Sequence, residues 1–463
     1  MNAVWGPGAV RTGSDDATRG LTSPAQNEML NRVNAMSSRP SRRQLLQAGA
    51  VLSAGYFSGL ASGASRLANA ELRVAAIGVG NHGATNLSEV AKQARVVALC
   101  DVDDRYLKSA AERRPEAKLY RDPRELLAAD DLDAVVVSTP DHTHAWAAVT
   151  AMRRGWHVFC EKPLTHTMAE LDLLLRVADE KKVATQTGMQ HWVRTGSRRA
   201  ATALQAGVLG DVREIHAWTD RPIWPQGIAL PTQAEEVPKG LAWDVWLGPA
   251  SEQAYHSAYH PLRWRGWWEF GSGALGDFGP HLLVGVFAGL KLPAPETIVA
   301  ESSERNDDTF PACSRITFTF VETKTRPGLS LVWYDGGRLP PREVLGVDRP
   351  PPNGVMVLGN HGKLFLPDYG GNPRLLQTKS SIKLPPPLEM PDNLFADWIA
   401  ACRTGQPSCL PFASATALME TCLLGNVALR SGEKLTWDAA TRTLTPAATR
   451  RYLQSTLRTG WGL

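Results

Sequence analysis

The chain has 463 residues, of which 43% are hydrophobic and 21% charged, with a formal net charge of +4. That length admits two domains with cores of their own, and that balance describes a globular protein, excluding a disordered or fibrous one. The positive charge comes from one end, since residues 1–70 hold seven Lys/Arg and three Asp/Glu and the remainder 43 of each sign, so nothing suggests a nucleic-acid partner.

Residues 1–35 lack apolar periodicity and are expected to be unfolded. Next come Arg42-Arg43, a weakly apolar stretch rich in Ala, Gly and Ser (Gln47 to Gly63), and Ala68-Asn69-Ala70, an A-x-A cleavage pattern. The stretch is too short and glycine-rich for a stable membrane span. The whole resembles a twin-arginine signal peptide. The resemblance implies a leader over 1–70, a mature chain from near Glu71, the twin-arginine (Tat) translocase as partner during export, and a periplasmic location.

From Glu71 short apolar runs alternate with helical patterns, which predicts a parallel sheet with crossover helices over 71–190. The first run, Val74 to Ile77, enters Gly78-Val79-Gly80-Asn81-His82-Gly83, and a helical pattern follows over 84–94. In such a G-x-G-x-x-G turn Gly78 permits the tight bend, Gly80 lets backbone approach a pyrophosphate, and Gly83 allows close helix–strand packing. Asn81 and His82 lie within it, at a helix N-terminus whose dipole favours phosphate. The next strand, 95–100, ends in Asp101, about 23 positions after Gly78, where a carboxylate holds an adenosine ribose. Its charge repels a 2′-phosphate, so NAD is favoured over NADP.

Helices are expected at 106–112, 122–129, 145–154 and 165–180, and strands at 133–138, 157–160 and 183–189. The strand ends carry Thr139-Pro140-Asp141-His142-Thr143-His144, Glu161-Lys162-Pro163 and Gln190. Ligands collect at carboxyl ends in such sheets, so Thr139, Pro140, His144, Glu161, Lys162 and Gln190 join the candidate cofactor contacts. His142 and His144 also read as a metal pair, but without a third ligand at sensible spacing no metal is assigned. The six cysteines (100, 160, 313, 402, 409 and 422) are too scattered for a disulfide framework.

The combination of GxGxxG, an S-T-P-D-H-T-H-A turn and E-K-P resembles the Gfo/Idh/MocA oxidoreductases over roughly 71–440. That resemblance implies a lysine, here Lys162, beside the nicotinamide on the reacting hydroxyl, and a Thr-Pro turn touching the cofactor. It also implies, for 191–463, an α+β substrate and oligomerisation domain with a large, mostly antiparallel, open-faced sheet. Here the reading predicts a helix over 197–206, strands at 211–218, 296–302, 314–321, 328–334, 354–358 and 362–366, and closing helices over 393–403 and 412–431. The open face of that sheet makes a homo-oligomer the expected state.

Asp277 and His281 are four apart, which places them on one face if the first turn of a helix over 281–290 includes both; Pro280 is tolerated in such a turn. A carboxylate beside an imidazole raises its basicity. The family uses this histidine as general base, which gives His281 that role and Asp277 the orienting one. Seven of the fifteen tryptophans lie between Trp218 and Trp268, and aromatic faces stack on sugar rings. With His191 nearby, Arg263, Arg265, Trp267 and Trp268 are the candidate substrate contacts for a carbohydrate or polyol.

The first functional expectation is an exported oxidoreductase of a sugar or polyol hydroxyl whose bound cofactor is recycled within the site. The second is a glycoside hydrolase that oxidises a ring hydroxyl transiently. A non-catalytic sugar-binding module is the third, and it would not require Lys162, Asp277 and His281 together.

Overall fold

Six short runs, four of them apolar and each followed by a helix, form one parallel sheet in the computed structural model, which describes residues 71–128, 132–346, 349–377 and 382–463. The leader and its twin arginines lie outside the described residues. The strands are β1 Arg73–Ile77, β2 Arg95–Cys100, β3 Lys118–Tyr120, β4 Ala134–Val137, β5 His157–Glu161 and β6 Thr185–Gly188. They run in the order β3-β2-β1-β4-β5-β6, every pair parallel. Strands buried on both faces need continuous apolar sequence, and β4 is buried throughout. The crossover helices are α1 His82–Val90, α2 Asp104–Arg113, α3 Pro123–Ala128, α4 Asp141–Arg153 and α5 Met168–Lys181. A capping box of Thr167 and Glu170 starts α5. Strand order reverses between β1 and β4, which opens a crevice at their carboxyl ends.

The second sheet has nine strands: β7 Val212–Trp218, β8 Thr297–Ser302, β9 Ser314–Phe320, β10 Leu329–Tyr334, β11 Gly354–Gly359, β12 Gly362–Pro367, β13 Arg374–Leu376, β14 Leu435–Asp438 and β15 Thr443–Thr445. Their order is β13-β12-β11-β7-β10-β9-β8-β14-β15. All pairs are antiparallel except β7 with β10. Along β9 buried and more exposed residues alternate, as in a sheet with one covered face. Helices α6 Thr195–Gln205, α7 Gly273–Leu290, α8 Leu394–Thr404 and α9 Phe412–Ser431 complete the fold. Leu283 and Val286 of α7 and Leu424 of α9 join Phe318 and Trp333 in one core.

Two expectations need correction. Helix α7 does not open at His281 but at Gly273, two turns earlier, with Pro280 inside it. Residues 273–276 are fully buried, and tertiary burial outweighs the poor helix propensity of that glycine-rich run. The proline ring is directed at the carbonyl of the residue four back, which is Gly276. Helix α8, expected to close the second domain, packs instead on the first sheet. Phe395 stacks on Phe159 of β5 with centroids 4.2 Å apart, and Trp398 meets the same ring edge-on at 5.8 Å.

The long segment 219–270 holds a short helical turn, Trp243–Leu247, and a 3-10 turn, Arg263–Gly266. It runs along the chain that leaves β2: the Asp104 N–H donates to Gly240 O at 3.0 Å and the Ala242 N–H to Val102 O at 2.8 Å. Arg458 ties a second segment to it, donating to Gly248 O at 3.1 Å and Asp244 Oδ1 at 2.6 Å. From there the chain carries Trp461 onto Trp146 of α4, centroids 4.6 Å apart. Both segments cover the crevice.

Candidate active site

The crevice is a cavity of about 550 Å³, within the usual range for small-molecule sites. At its floor β1 turns into α1. Gly78 has φ +79°, and a Cβ there would lie 2.6 Å from Ser138 O. At Gly83 a Cβ would lie 2.1 Å from Gly78 O, so neither position admits a side chain. The turn passes through Gly80 and Asn81 before α1 opens at His82 and Gly83, whose first N–H groups have no partner within the helix.

Asp101 is buried at the end of β2. Its Oδ2 accepts from the N–H groups of Val79 (2.9 Å) and Gly80 (3.2 Å), and its Oδ1 from Asp103 N–H at 3.0 Å. Burial nevertheless pushes its carboxyl up to about 6. Glu161, also buried, accepts from Asn86 Nδ2 (2.8 Å) and Gln190 Nε2 (2.5 Å), with His82 Nε2 at 3.3 Å. Burial works against its charge, but His82, Asn86 and Lys162 hold it below the ordinary carboxylate range. The bond to Glu161 in turn raises His82.

Thr139 and Pro140 form the turn into α4, where Thr143 Oγ1 donates to Thr139 Oγ1 at 2.7 Å. His144 borders the cavity, but its Nδ1 lies 2.7 Å from Pro163 O and its Nε2 2.7 Å from Thr139 O. Its imidazole is therefore engaged by two carbonyls and braces the Thr-Pro turn against the Glu-Lys-Pro loop. His142 is likewise held between Phe270 O and Trp246 O.

Lys162 Nζ donates to Asp277 Oδ1 at 2.6 Å and to the Asp277 carbonyl at 2.9 Å. Arg265 Nε approaches the same Oδ1 at 3.5 Å. Burial would raise the Asp277 carboxyl, yet the two cations hold it lower than usual. The carboxylate was expected to orient His281; it is engaged by Lys162 and Arg265, and the imidazole finds a different partner. His281 Nδ1 lies 2.6 Å from Nδ1 of His191. Burial, with Lys162 as the next cause, keeps His281 well below the ordinary histidine value, and burial with Arg194 pushes His191 down to about 4. Both rings are then neutral at neutral pH, one nitrogen donating and the other accepting.

All the candidate cofactor residues, the three catalytic candidates, His191 and Arg265 border this one cavity. Arg263, Trp267 and Trp268 do not, which corrects three of the substrate candidates. Arg263 is exposed on the 3-10 turn. Trp267 is buried against Tyr259, its Nε1 donating to Ala258 O at 2.9 Å. Trp268 packs on Phe310 at 3.7 Å. Most of the tryptophan cluster is thus interior, and Trp246 and Trp264 are its members on the cavity wall. The sequence reading missed Arg194, Arg221, Phe278, Tyr369 and Trp461, which also line it. Phe278 was signalled by its place between Asp277 and His281; the others carry no local signal.

Two family profiles match the chain: an oxidoreductase family, NAD-binding Rossmann fold, over residues 72–189, and an oxidoreductase family, C-terminal alpha/beta domain, over residues 212–463. Among characterised proteins, an inositol 2-dehydrogenase of Rhodococcus jostii is 30% identical over 159 residues, 34% of this chain and 43% of the relative. The chain spans less than half the length of the first curated relatives it matches. The WlbA dehydrogenase of Bordetella pertussis, solved with NADH and UDP-GlcNAcA, shares the fold with a TM-score of 0.56 at 16% identity, covering 80% of this chain and 99% of that one. The aldose-aldose oxidoreductase of Caulobacter crescentus, solved with glycerol, gives 0.53 at 18% identity, with 79% and 100% covered.

Proposed function

Because the chain belongs to the Gfo/Idh/MocA oxidoreductase family, we propose that it is an NAD-dependent oxidoreductase of a sugar or polyol hydroxyl, exported by the twin-arginine route to the periplasm with its cofactor bound. The observation that carries this reading is the convergence of Lys162, Asp277 and His281 on a cavity that the glycine turn also lines. The residues fit the dinucleotide, since Gly78 and Gly83, where a Cβ would strike backbone, let β1 and α1 close into the tight turn that a pyrophosphate needs, and Asp101 stands at the end of β2, the ribose position. Gly80, Asn81, His82 and Gly83 would hold the pyrophosphate, and Thr139, Pro140, Glu161 and Gln190 the nicotinamide half. Asp101 favours NAD over NADP by its charge.

Bound there, the nicotinamide supplies the hydride acceptor. Lys162, fixed by the Asp277 carboxylate, donates to the reacting hydroxyl and stabilises its developing negative charge. His281, kept neutral by burial and surrounding cations, takes the hydroxyl proton, and His191 holds its ring in place. The cover formed by 240–248 and 458–461, which brings Val245, Trp246 and Trp461 to the cavity, supports a cofactor that is retained and restored within each cycle.

We assign 71–190 to cofactor binding and 191–463 to substrate binding and to homo-oligomer formation through the open face of the second sheet. The test is a comparison of the purified protein with Lys162→Met, incubated with a panel of sugars and polyols while reduction of bound cofactor is followed. The wild type is expected to reduce it and the variant to be slower by about a thousandfold. Equal rates would overturn the mechanism.

A further inference from the structure

Charge is unevenly distributed around the cavity. Three of its four carboxylates stand near Lys162: Asp277 binds Lys162 and Arg265, Glu161 is held by His82, Asn86 and Gln190, and Asp141 is buried at the start of α4; the fourth, Asp101, lies beside the glycine turn. A second group of lining residues carries two arginines with no carboxylate among them. Arg194 Nη1 donates to the Tyr369 carbonyl at 3.2 Å. The Arg221 guanidinium lies over the Phe278 ring, 4.6 Å from its centroid. Phe278 and Tyr369 touch each other, centroids 5.2 Å apart, and Tyr369 stands 5.3 Å from His191. The acid partner of Arg221 is Asp220, its chain neighbour, which is half-exposed and does not border the cavity.

We infer that the substrate carries a carboxylate, as a uronic or aldonic sugar does, and that Arg221 with Arg194 receives it while the carbinol faces Lys162 and His281. This rests on the oxidoreductase reading above. A guanidinium lying on an aromatic ring keeps its N–H edge available in plane, and that edge matches a carboxylate bidentately. The Arg221–Asp220 pair, half in water, is weakly held and gives way to a substrate carboxylate. A neutral sugar would offer these two guanidiniums no charge from the cavity side.

The test titrates the holoenzyme with glucuronate and galacturonate and with the corresponding neutral uronamides. Binding is read from the fluorescence of the lining tryptophans, and reduction from the absorbance of the bound nicotinamide. One uronate at least is expected to bind about tenfold more tightly than its amide. Arg221→Gln and Arg194→Gln should erase that ratio without lowering the bound cofactor, while Arg221→Lys, which keeps the charge but loses the fork, retains part of it. Equal affinity for acid and amide, or a ratio that survives both Gln substitutions, overturns the inference. Amide and acid reducing the cofactor equally well would sink the carboxylate site and leave the oxidoreductase reading intact. Protein that prefers the uronate but holds no nicotinamide would do the reverse.

Discussion

Asp101 and His281 are both shifted by burial, in directions that bear on activity in opposite senses. Burial raises the Asp101 carboxyl to about 6, so the charged form that would accept ribose hydroxyls under the proposed function is lost as pH falls through that value. Protein stripped of cofactor should therefore bind NAD more weakly at pH 5 than at pH 7. Asp101→Asn, which keeps the shape without the charge, should bind NAD about tenfold more weakly and discriminate less against NADP. Titration with both dinucleotides at both pH values checks this, and unaltered affinities would remove Asp101 from the ribose site. His281 is lowered from the ordinary value of 6.5. A base whose conjugate acid is disfavoured is already neutral above that value, so the rate of cofactor reduction should stay flat from pH 8 down to 6.5. Its decline belongs below 6.5; a limb centred at or above 6.5 would assign the proton acceptor elsewhere.

Helices α6 and α7 bring the two histidines together, and the seam between them is made of small residues. A Cβ at Gly285 would lie 2.7 Å from Ser197 O, and one at Gly289 would lie 2.9 Å from Leu204 Cβ. His191 and Arg194 stand just before α6, while Asp277, Phe278 and His281 lie on α7, so the spacing of the seam sets the His191–His281 contact of 2.6 Å. Gly285→Leu should push the helices apart, costing about 1–3 kcal/mol by overpacking. It should also reduce turnover more than it reduces bound cofactor, because the glycine turn lies on the other sheet. Thermal unfolding and activity measured together check this, and turnover at the wild-type level would separate the seam from the site. None of this spacing is visible in the sequence, where Gly285 reads as one more weak helix former. Most strands and the GxGxxG turn were legible because their chemistry is local: alternation, β-branching and glycine spacing fall within a dozen residues; β3, β13, β14 and β15, three or four residues each, are too short to show a pattern and go unread. So were Lys162, Asp277 and His281, through short motifs. The start of α7, the interior fate of Trp267 and Trp268 and the docking of α8 on Phe159 depend on partners far away in the chain. The same holds for Arg194, Arg221, Tyr369 and Trp461, which reach the cavity only through the tertiary fold.

At the scale of the whole molecule, the way the cavity is covered bears on how an exported dinucleotide enzyme could work. A protein sent to the periplasm meets little free nicotinamide cofactor, so catalysis there requires one that does not leave. The segment 240–248 is tied by backbone hydrogen bonds to the residues following β2, and Arg458 anchors the second segment to it. Trp461 is 1% exposed, held between Trp146 and the Arg124 guanidinium, which lies 4.6 Å from its ring. It borders the cavity together with Pro123 and Tyr106, at the end where the adenosine belongs. If the cofactor is retained as proposed, its release requires this cover to move, and Trp461 is the most fully buried of the cover's tryptophans. The purified protein should release NAD(H) on denaturation in a ratio near one per chain. Trp461→Ala should lose most of it on gel filtration, and Trp461→Phe, which keeps an aromatic ring against Trp146, should retain it. An unfolded Ala variant would leave the comparison to Trp461→Phe and to the rate at which added labelled NAD exchanges into the wild type. Rapid exchange into the folded wild-type protein would show that the cover does not hold the cofactor, and the closed catalytic cycle would fall with it.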